Sequence, residues 1–164
     1  PRFPEGLLKE VQVVATVLSW DGQNDPDILS LLGASLALSV SDIPWAGPIA
    51  AVRVCRTNGK FILNPTYQEK EDSDLEFVFS AVLGKDGELL INMIEGNSEE
   101  VNNNSILEAL EFSEKYLKKL IDFQKDISEK IGKGKAVLET NKLDLSLEKE
   151  MKDFLGDKLK KAFF

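Results

Sequence analysis

The chain has 164 residues, 43% of them hydrophobic, and its 20 Lys and Arg residues against 28 Asp and Glu residues give a formal charge of −8. This length and apolar content suffice for a buried core, while the negative balance disfavours an autonomous nucleic-acid module with a basic face. The absence of histidine removes the commonest general base, and the single cysteine, Cys55, cannot form an intramolecular disulfide. With no run of eighteen apolar residues, the chain is predicted to be cytoplasmic, without a membrane partner.

The first forty residues have the pattern of a strand followed by a helix. Residues 10–19 place apolar side chains on both faces, which predicts a strand in the interior of a sheet. Asp25 is the predicted N-cap, and Pro26 the first residue, of a helix that runs to about Val40. Because this helix is apolar nearly all round, we expect a core element packed between the sheet and another layer.

Two hairpins are predicted next. The first joins strands 49–56 and 60–63 through Asn58 and Gly59, a pair typical of a type I′ turn. The second joins strands 75–83 and 88–95 through a glycine-rich loop. The acidic run at 69–76 is predicted to be a solvated loop, and Cys55 a core residue.

The remainder of the chain is predicted to be helical. A long amphipathic helix is predicted from about Asn102 to Gly132. Its N-terminus has two alternative signals, a cap at Asn102 and a capping box formed by Ser105 and Glu108. A linker at 132–141 precedes a second apolar stripe that runs to the last residue. We expect both ends of the chain to be cut from a longer protein, because it stops on exposed aromatics in mid-helix.

Several sequence blocks in one order carry a resemblance to a known family. They are FPEG (3–6), EVQVVATV (10–17), NDPDIL (24–29), GASLALS (33–39), SDIPWAGPI (41–49) and NPT (64–66). They resemble the first ribonuclease-PH-like core of the polynucleotide phosphorylase family, and LEALEF (107–112) is similar to the segment that leads into that family's all-helical domain. The resemblance covers about residues 2–131; from 136 onward only the helical character matches. Ribonuclease PH, a single core without the helical extension, is the rival family.

The resemblance implies an α+β fold in two parts. Residues 1–97 would be the C-terminal part of a ribonuclease-PH-like core, a mixed sheet with a buried helix similar to domain 2 of ribosomal protein S5. Residues 98–164 would be a truncated helical region. The family implies a homotrimer, associated with an RNA-degradation complex, that degrades RNA from the 3′ end with inorganic phosphate and releases nucleoside diphosphates reversibly.

In that family the second core carries the chemistry and the Mg²⁺, so we expect no catalytic residue and no cofactor in this chain. Where the catalytic core has a serine-rich phosphate-binding turn, residues 24–27 read Asn-Asp-Pro-Asp, whose negative charge would oppose phosphate. Where the catalytic core has a Met-Asp-Ile-Lys stretch with a metal-assisting aspartate, residues 89–95 offer no matching aspartate. The predicted role is therefore structural and trimer-forming.

A few side chains are candidates for binding. Asp21, Asp25 and Asp27 are candidate metal ligands, with capping and turn formation as the alternative. Arg53 and Arg56 are candidates for RNA phosphate or a subunit interface, with strand ion pairs as the alternative. Trp45 is a candidate for stacking on an RNA base or for a subunit contact.

Two other function classes stay open. One is a stand-alone, non-enzymatic scaffold or oligomerisation module that associates through the apolar stripes of its helices. The other is a metal-dependent hydrolase that uses the carboxylates of residues 21–27.

Overall fold

The protein is described here by a computed structural model that covers residues 2–137 and 145–163. The α+β fold predicted from the sequence is confirmed. In chain order the described elements are α1 (Asp27–Val40), β1 (Ala50–Thr57), β2 (Lys60–Leu63), α2 (Tyr67–Lys70), β3 (Ser73–Leu83), β4 (Leu89–Ser98), α3 (Asn103–Ile131), α4 (Leu145–Leu155) and α5 (Lys158–Phe163).

The four strands form one sheet in the order β2-β1-β3-β4. Each neighbouring pair is antiparallel, so the described sheet is not mixed as the resemblance implied. Both predicted hairpins are present, and Asn58 and Gly59 have φ angles of 51° and 73°, as a type I′ turn requires. The predicted strand 75–83 is present as β3 and contains Glu76, but it starts two residues earlier, so Asp74 of the predicted solvated loop also lies in it.

One face of the sheet packs against α3. Val52 and Val54 of β1 and Phe79 of β3 form a buried cluster with Leu117 and Ile121 of α3, and all five are fully buried. The sheet and α3 therefore share one hydrophobic core that extends across the predicted boundary between 1–97 and 98–164. That boundary stays a prediction.

The N-terminus of α3 uses one of the two predicted caps. Asn102 is the N-cap, and its Oδ1 accepts a hydrogen bond from the Ser105 amide at 2.9 Å. The N-terminal half of the buried stripe consists of small residues, Ser105, Ala109 and Ser113, which let the helix approach the sheet closely. The buried side of the helix does not extend to its last residue, because Ile131 is 69% exposed.

The predicted strand at 10–19 is wrong. This segment runs without regular secondary structure, and between residues 8 and 19 it makes no backbone hydrogen bond that the structure describes. A strand needs a neighbour to pair with, and the described residues provide none here. The apolar side chains consequently stay in solvent, with Val14 73% and Leu18 93% exposed.

Helix α1 differs from its prediction in two respects. It begins at Asp27, with Pro26 at the cap position, one residue later than predicted. The Asp25 side chain still meets the start of the helix as predicted, because its Oδ1 accepts a long hydrogen bond of 3.4 Å from the Asp27 amide. It is also not buried all round, because an open groove of about 480 Å³ separates it from residues 13–19, and Leu29 is 70% exposed. Its contacts with β1 and α3 bury only Ser35, Leu38 and Ser39.

The C-terminal stripe lies on two helices rather than one, because Gly156, with φ of 41°, separates α4 from α5. Its apolar side chains, Leu147, Met151, Phe154 and Leu159, are more than half exposed. Part of the predicted linker at 132–141 lies outside the described residues. Among the residues described, no helix has the length and apolarity needed to span a bilayer.

Candidate functional site

A cluster of charged side chains surrounds Arg53 on the face of the sheet opposite the core. Successive side chains of a strand point to opposite faces, so Arg53 points away from Val52 and Val54. Its Nη1 lies 2.5 Å from Glu76 Oε1 on β3 and 3.5 Å from Asp25 Oδ2, while its Nη2 donates to Asp27 Oδ2 at the start of α1. The guanidinium thus joins three carboxylates, two from the start of α1 and one from β3.

Lys70 extends this cluster. Its Nζ lies 3.3 Å from Glu76 Oε1 and 3.8 Å from Asp25 Oδ2. It is carried by the short helix α2, which is fixed by a capping box between Thr66 and Glu69. Two cations therefore meet three carboxylates, and the cluster keeps a net negative charge.

The environment of Arg53 is partly desolvated. Its side chain is 14% exposed. Burial lowers the pKa of Arg53, but the Asp27, Glu76 and Asp25 carboxylates outweigh burial and raise it above its ordinary value. Because carboxylates already hold both terminal nitrogens, an incoming phosphate would have to displace them from Arg53.

The backbone beside Arg53 is held by Asn64. The Arg53 amide donates to Asn64 Oδ1 at 2.9 Å, and the Asn64 amide donates to the Arg53 carbonyl at 2.7 Å. These bonds continue the pairing of β1 beyond the last residue of β2. A cleft of about 330 Å³ opens next to the cluster, lined among others by Asp27, Glu76 and Glu95. Its carboxylates make it unfavourable for an anion.

The three candidate metal ligands do not converge. The Asp21 carboxylate accepts from the amides of Gln23 and Asn24, each at 2.8 Å, and from the Asn24 side chain at 2.6 Å. These bonds, led by the one from the Asn24 amide, lower the pKa of Asp21. Asp25 and Asp27 are turned to Arg53 instead. In the part of the chain that is described, no three His, Cys, Asp or Glu side chains are arranged to hold a metal ion.

Arg56 makes the ion pair that the sequence offered as one alternative. Its Nε and Nη2 donate to the two oxygens of Asp74 at 2.9 and 2.7 Å, and its Nη1 donates to Ser105 Oγ at 2.6 Å. The Asp74 hydrogen bonds raise the pKa of Arg56. Arg56 thereby ties β1 and β3 to the first turn of α3. An RNA or interface role for Arg53 and Arg56 stays a prediction.

Trp45 lies in a different region from the two arginines. Its ring centroid is 5.0 Å from that of Phe3, and its buried Nε1 has no hydrogen-bond partner among the described residues. It lines a groove of about 340 Å³ together with Lys125 and Lys135. Its role in RNA stacking or subunit contact stays a prediction. The predicted core position of Cys55 is confirmed by full burial, which raises the pKa of its thiol.

Sequence reasoning missed the partners of Arg53. Glu76 lies in the predicted strand 75–83 but is counted with the solvated acidic run, and Lys70 is not among the candidate residues. The available signal was the alternation of Leu75, Glu76 and Phe77, which places the carboxylate on the face opposite the apolar pair once residue 76 is assigned to a strand.

Comparison with known proteins agrees with the resemblance drawn from the sequence. The family described as "3' exoribonuclease family, domain 2" matches residues 47–116. The chain is 44% identical over 163 residues to the polyribonucleotide nucleotidyltransferase of Sulfurihydrogenibium azorense, an alignment that covers 99% of this chain and 22% of the relative. The chain is a relative of the polyribonucleotide nucleotidyltransferases. Their name is the systematic equivalent of polynucleotide phosphorylase, so the family recognised from the sequence is confirmed.

Two further polyribonucleotide nucleotidyltransferases give the same picture. That of Persephonella marina is 40% identical over 163 residues, with 99% of this chain and 22% of the relative covered. That of Geobacter sp. (strain M21) is 49% identical over 138 residues, with coverages of 84% and 19%. The chain thus spans about a fifth of the length of these curated relatives. The stretch that matches the exoribonuclease domain runs from β1 into α3 and includes Arg53 and Arg56, whereas Asp25 and Asp27 precede it.

Proposed function

We propose that this chain is part of a phosphate-dependent 3′-to-5′ exoribonuclease that converts RNA and inorganic phosphate reversibly into nucleoside diphosphates. The observation that carries the proposal is the 44% identity to a polyribonucleotide nucleotidyltransferase over 99% of the chain. The match of residues 47–116 to an exoribonuclease domain supports it independently.

Within that enzyme, the proposed role of this chain is structural. The Arg53 cluster supports this role, because the carboxylates of Asp25, Asp27 and Glu76 already hold the guanidinium that would otherwise attract phosphate. Phosphate entering at the start of α1 would meet Asp25 and Asp27 and be repelled. The phosphorolytic site is therefore proposed to lie in the second core, outside this chain.

The Mg²⁺ of the reaction is proposed to act at that second core as well. The residues at hand do not fit the ion, because the Asp21 carboxylate is engaged by three local hydrogen bonds and Asp25 and Asp27 are paired with Arg53. We also propose a cytoplasmic homotrimer associated with an RNA-degradation complex. These assembly proposals rest on the family alone.

The test is phosphate-dependent release of nucleoside diphosphates from poly(A) in the presence of Mg²⁺. The full-length chain encoded by the gene is compared with the 164-residue chain at equal molar concentration. Activity only in the full-length chain is the expected result. Activity in the 164-residue chain would overturn the structural role, and no activity in either would overturn the exoribonuclease assignment.

A non-enzymatic oligomerisation module is the second candidate, favoured by the exposed apolar side chains of α4 and α5. Sedimentation of the full-length chain, alone and after replacement of Met151 and Phe154 by Ser, separates the two. A trimer that survives the replacement supports the structural-core proposal. Dissociation of a full-length chain that shows no phosphorolysis supports the module.

A further inference from the structure

The C-terminal end of α1 is satisfied by a distant part of the chain. The last four carbonyls of a helix have no partner within the helix. Here the Ala37 carbonyl accepts locally from the Ser41 amide at 3.1 Å. The other three, of Leu38, Ser39 and Val40, accept from residues between 128 and 135, almost a hundred residues further along the chain. Of these three, Leu38 also accepts locally, from the Ser41 hydroxyl at 2.9 Å.

Lys135 makes two of these contacts and adds a third, to the carbonyl of Ser41. Its ammonium group donates to the carbonyls of Leu38 at 2.8 Å, Ser39 at 3.0 Å and Ser41 at 2.7 Å, which uses all three of its donors. Helix α1 has no basic residue in its last turn, so this is the cation that meets the negative end of its dipole. Burial lowers the pKa of Lys135, and nearby Asp42 partly offsets this effect.

Two backbone hydrogen bonds align the segment on either side of Lys135. The Lys133 amide donates to the Val40 carbonyl at 2.9 Å, and the Ala136 amide donates to the Asp42 carbonyl at 2.8 Å. Residues 132–136 have no regular secondary structure of their own, so these two bonds depend on the segment staying against α1. Ser128, in the last turn of α3, adds a bond from its Oγ to the Ser39 carbonyl at 3.0 Å.

We propose that residues 132–136 form a strap that the Lys135 ammonium group fastens to the end of α1, and that loss of this contact releases the strap. The fastened strap sets the point at which the chain leaves the core at Ala136, five residues after the end of α3. Lys135 also lines the groove that contains Trp45. The strap therefore links the position of α1 and the loop after it to the position at which the chain continues towards the C-terminal helices. This proposal does not depend on the reaction proposed above.

Hydrogen exchange followed by mass spectrometry on the full-length protein tests the strap. In the wild type, the amides of Lys133 and Ala136 are expected to exchange slowly despite their irregular backbone. In Lys135→Met, which keeps the length of the side chain and removes its donors, peptides over 132–137 are expected to exchange at least about tenfold faster. The matched control is Lys133→Met, because the Lys133 side chain makes no hydrogen bond or ion pair among the described residues; its exchange is expected to equal that of the wild type.

Unprotected amides at 133 and 136 in the wild type would overturn the proposal, whatever the variants do. Equal exchange of Lys135→Met and wild type in a folded protein would overturn it too. Ser128→Ala removes a single neutral bond and is expected to accelerate exchange by a smaller factor. Should Lys135→Met fail to fold, unchanged exchange in Ser128→Ala would count against the strap and faster exchange would support it.

Discussion

Replacement of Arg53 by Met is expected to destabilise the fold by leaving three carboxylates without their common cation. Breaking a fully buried ion pair costs about 3–5 kcal/mol, whereas an exposed pair contributes about 0–1 kcal/mol. The Asp25, Asp27 and Glu76 side chains are 27%, 48% and 24% exposed, so this site lies between these limits. Lys70 stays in place and compensates in part. We therefore expect a loss of about 2 kcal/mol in the free energy of unfolding, measured by urea titration.

A double-mutant cycle with Glu76→Gln isolates the electrostatic part of this effect. In the wild type, Glu76→Gln removes contacts to Arg53 and Lys70 and should cost about 1 kcal/mol. In the Arg53→Met background the same change removes a surplus negative charge, so it should be neutral or slightly stabilising. The expected coupling energy is about 1 kcal/mol or more. Glu95→Gln, in the same cleft but without an ion pair among the described residues, is the control and should be additive.

Additivity of Arg53→Met and Glu76→Gln within about 0.3–0.5 kcal/mol would refute the reasoning. It would mean that Arg53 contributes through the packing of its aliphatic stem and not through its charge. If Arg53→Met lowered the free energy of unfolding by more than about 4 kcal/mol while the two changes stayed additive, packing of the stem would again be the explanation.

Other changes test the core, the pH response and the sheet. Leu117→Ala should lower the free energy of unfolding by about 2–5 kcal/mol in urea titration, because Leu117 is fully buried. Leu107→Ala, at a position that is 56% exposed, should lower it by less than about 1 kcal/mol. Similar losses for the two variants would contradict the packing of α3 on the sheet. The hydrogen bond from Arg56 lowers the pKa of Asp74 below its ordinary 3.8. The ionised Asp74 therefore stabilises the fold above pH 3.8, and this stabilisation is lost as the pH falls through the lowered pKa of the folded state. Asp74→Asn should weaken the acid dependence of the urea midpoint, and an unchanged dependence would count against the pair. Gly96→Ala should destabilise by about 1–3 kcal/mol, because its Cβ would lie 2.3 Å from a main-chain oxygen of β3; an unchanged melting temperature would show that β4 yields freely there.

The elements that the sequence predicted well are those encoded by neighbouring residues. Asn58 and Gly59 adopt positive φ without a distant partner, so the first hairpin follows from the local pattern. The long helix follows from its 3.6-residue period and its Asn102 cap. Residues 10–19 show the limit of this reasoning: their apolar pattern is that of a strand, but pairing depends on a neighbour that the pattern cannot supply.

The candidate site was predicted only in part for the same reason. Arg53 stood out because it is a charged residue in an apolar strand, but its partners Glu76 and Asp27 lie 23 and 26 positions away. Lys135 was not recognised, since the carbonyls that it serves are 94 to 97 residues distant in sequence. Which carboxylate or carbonyl a cation meets is decided by the packing of strands and helices, which periodicity does not reveal.

The shared core of the sheet and α3 sets the smallest piece of this protein that should be expressed alone. A chain stopped after β4 would keep the four described strands but leave Val52, Val54 and Phe79 facing water, and it should precipitate or recruit other proteins. Extending it to residue 136 restores both the helix that covers this face and the lysine that closes the end of α1. For crystallisation or screening, the practical C-terminal limit is therefore beyond the strap, not the end of the sheet.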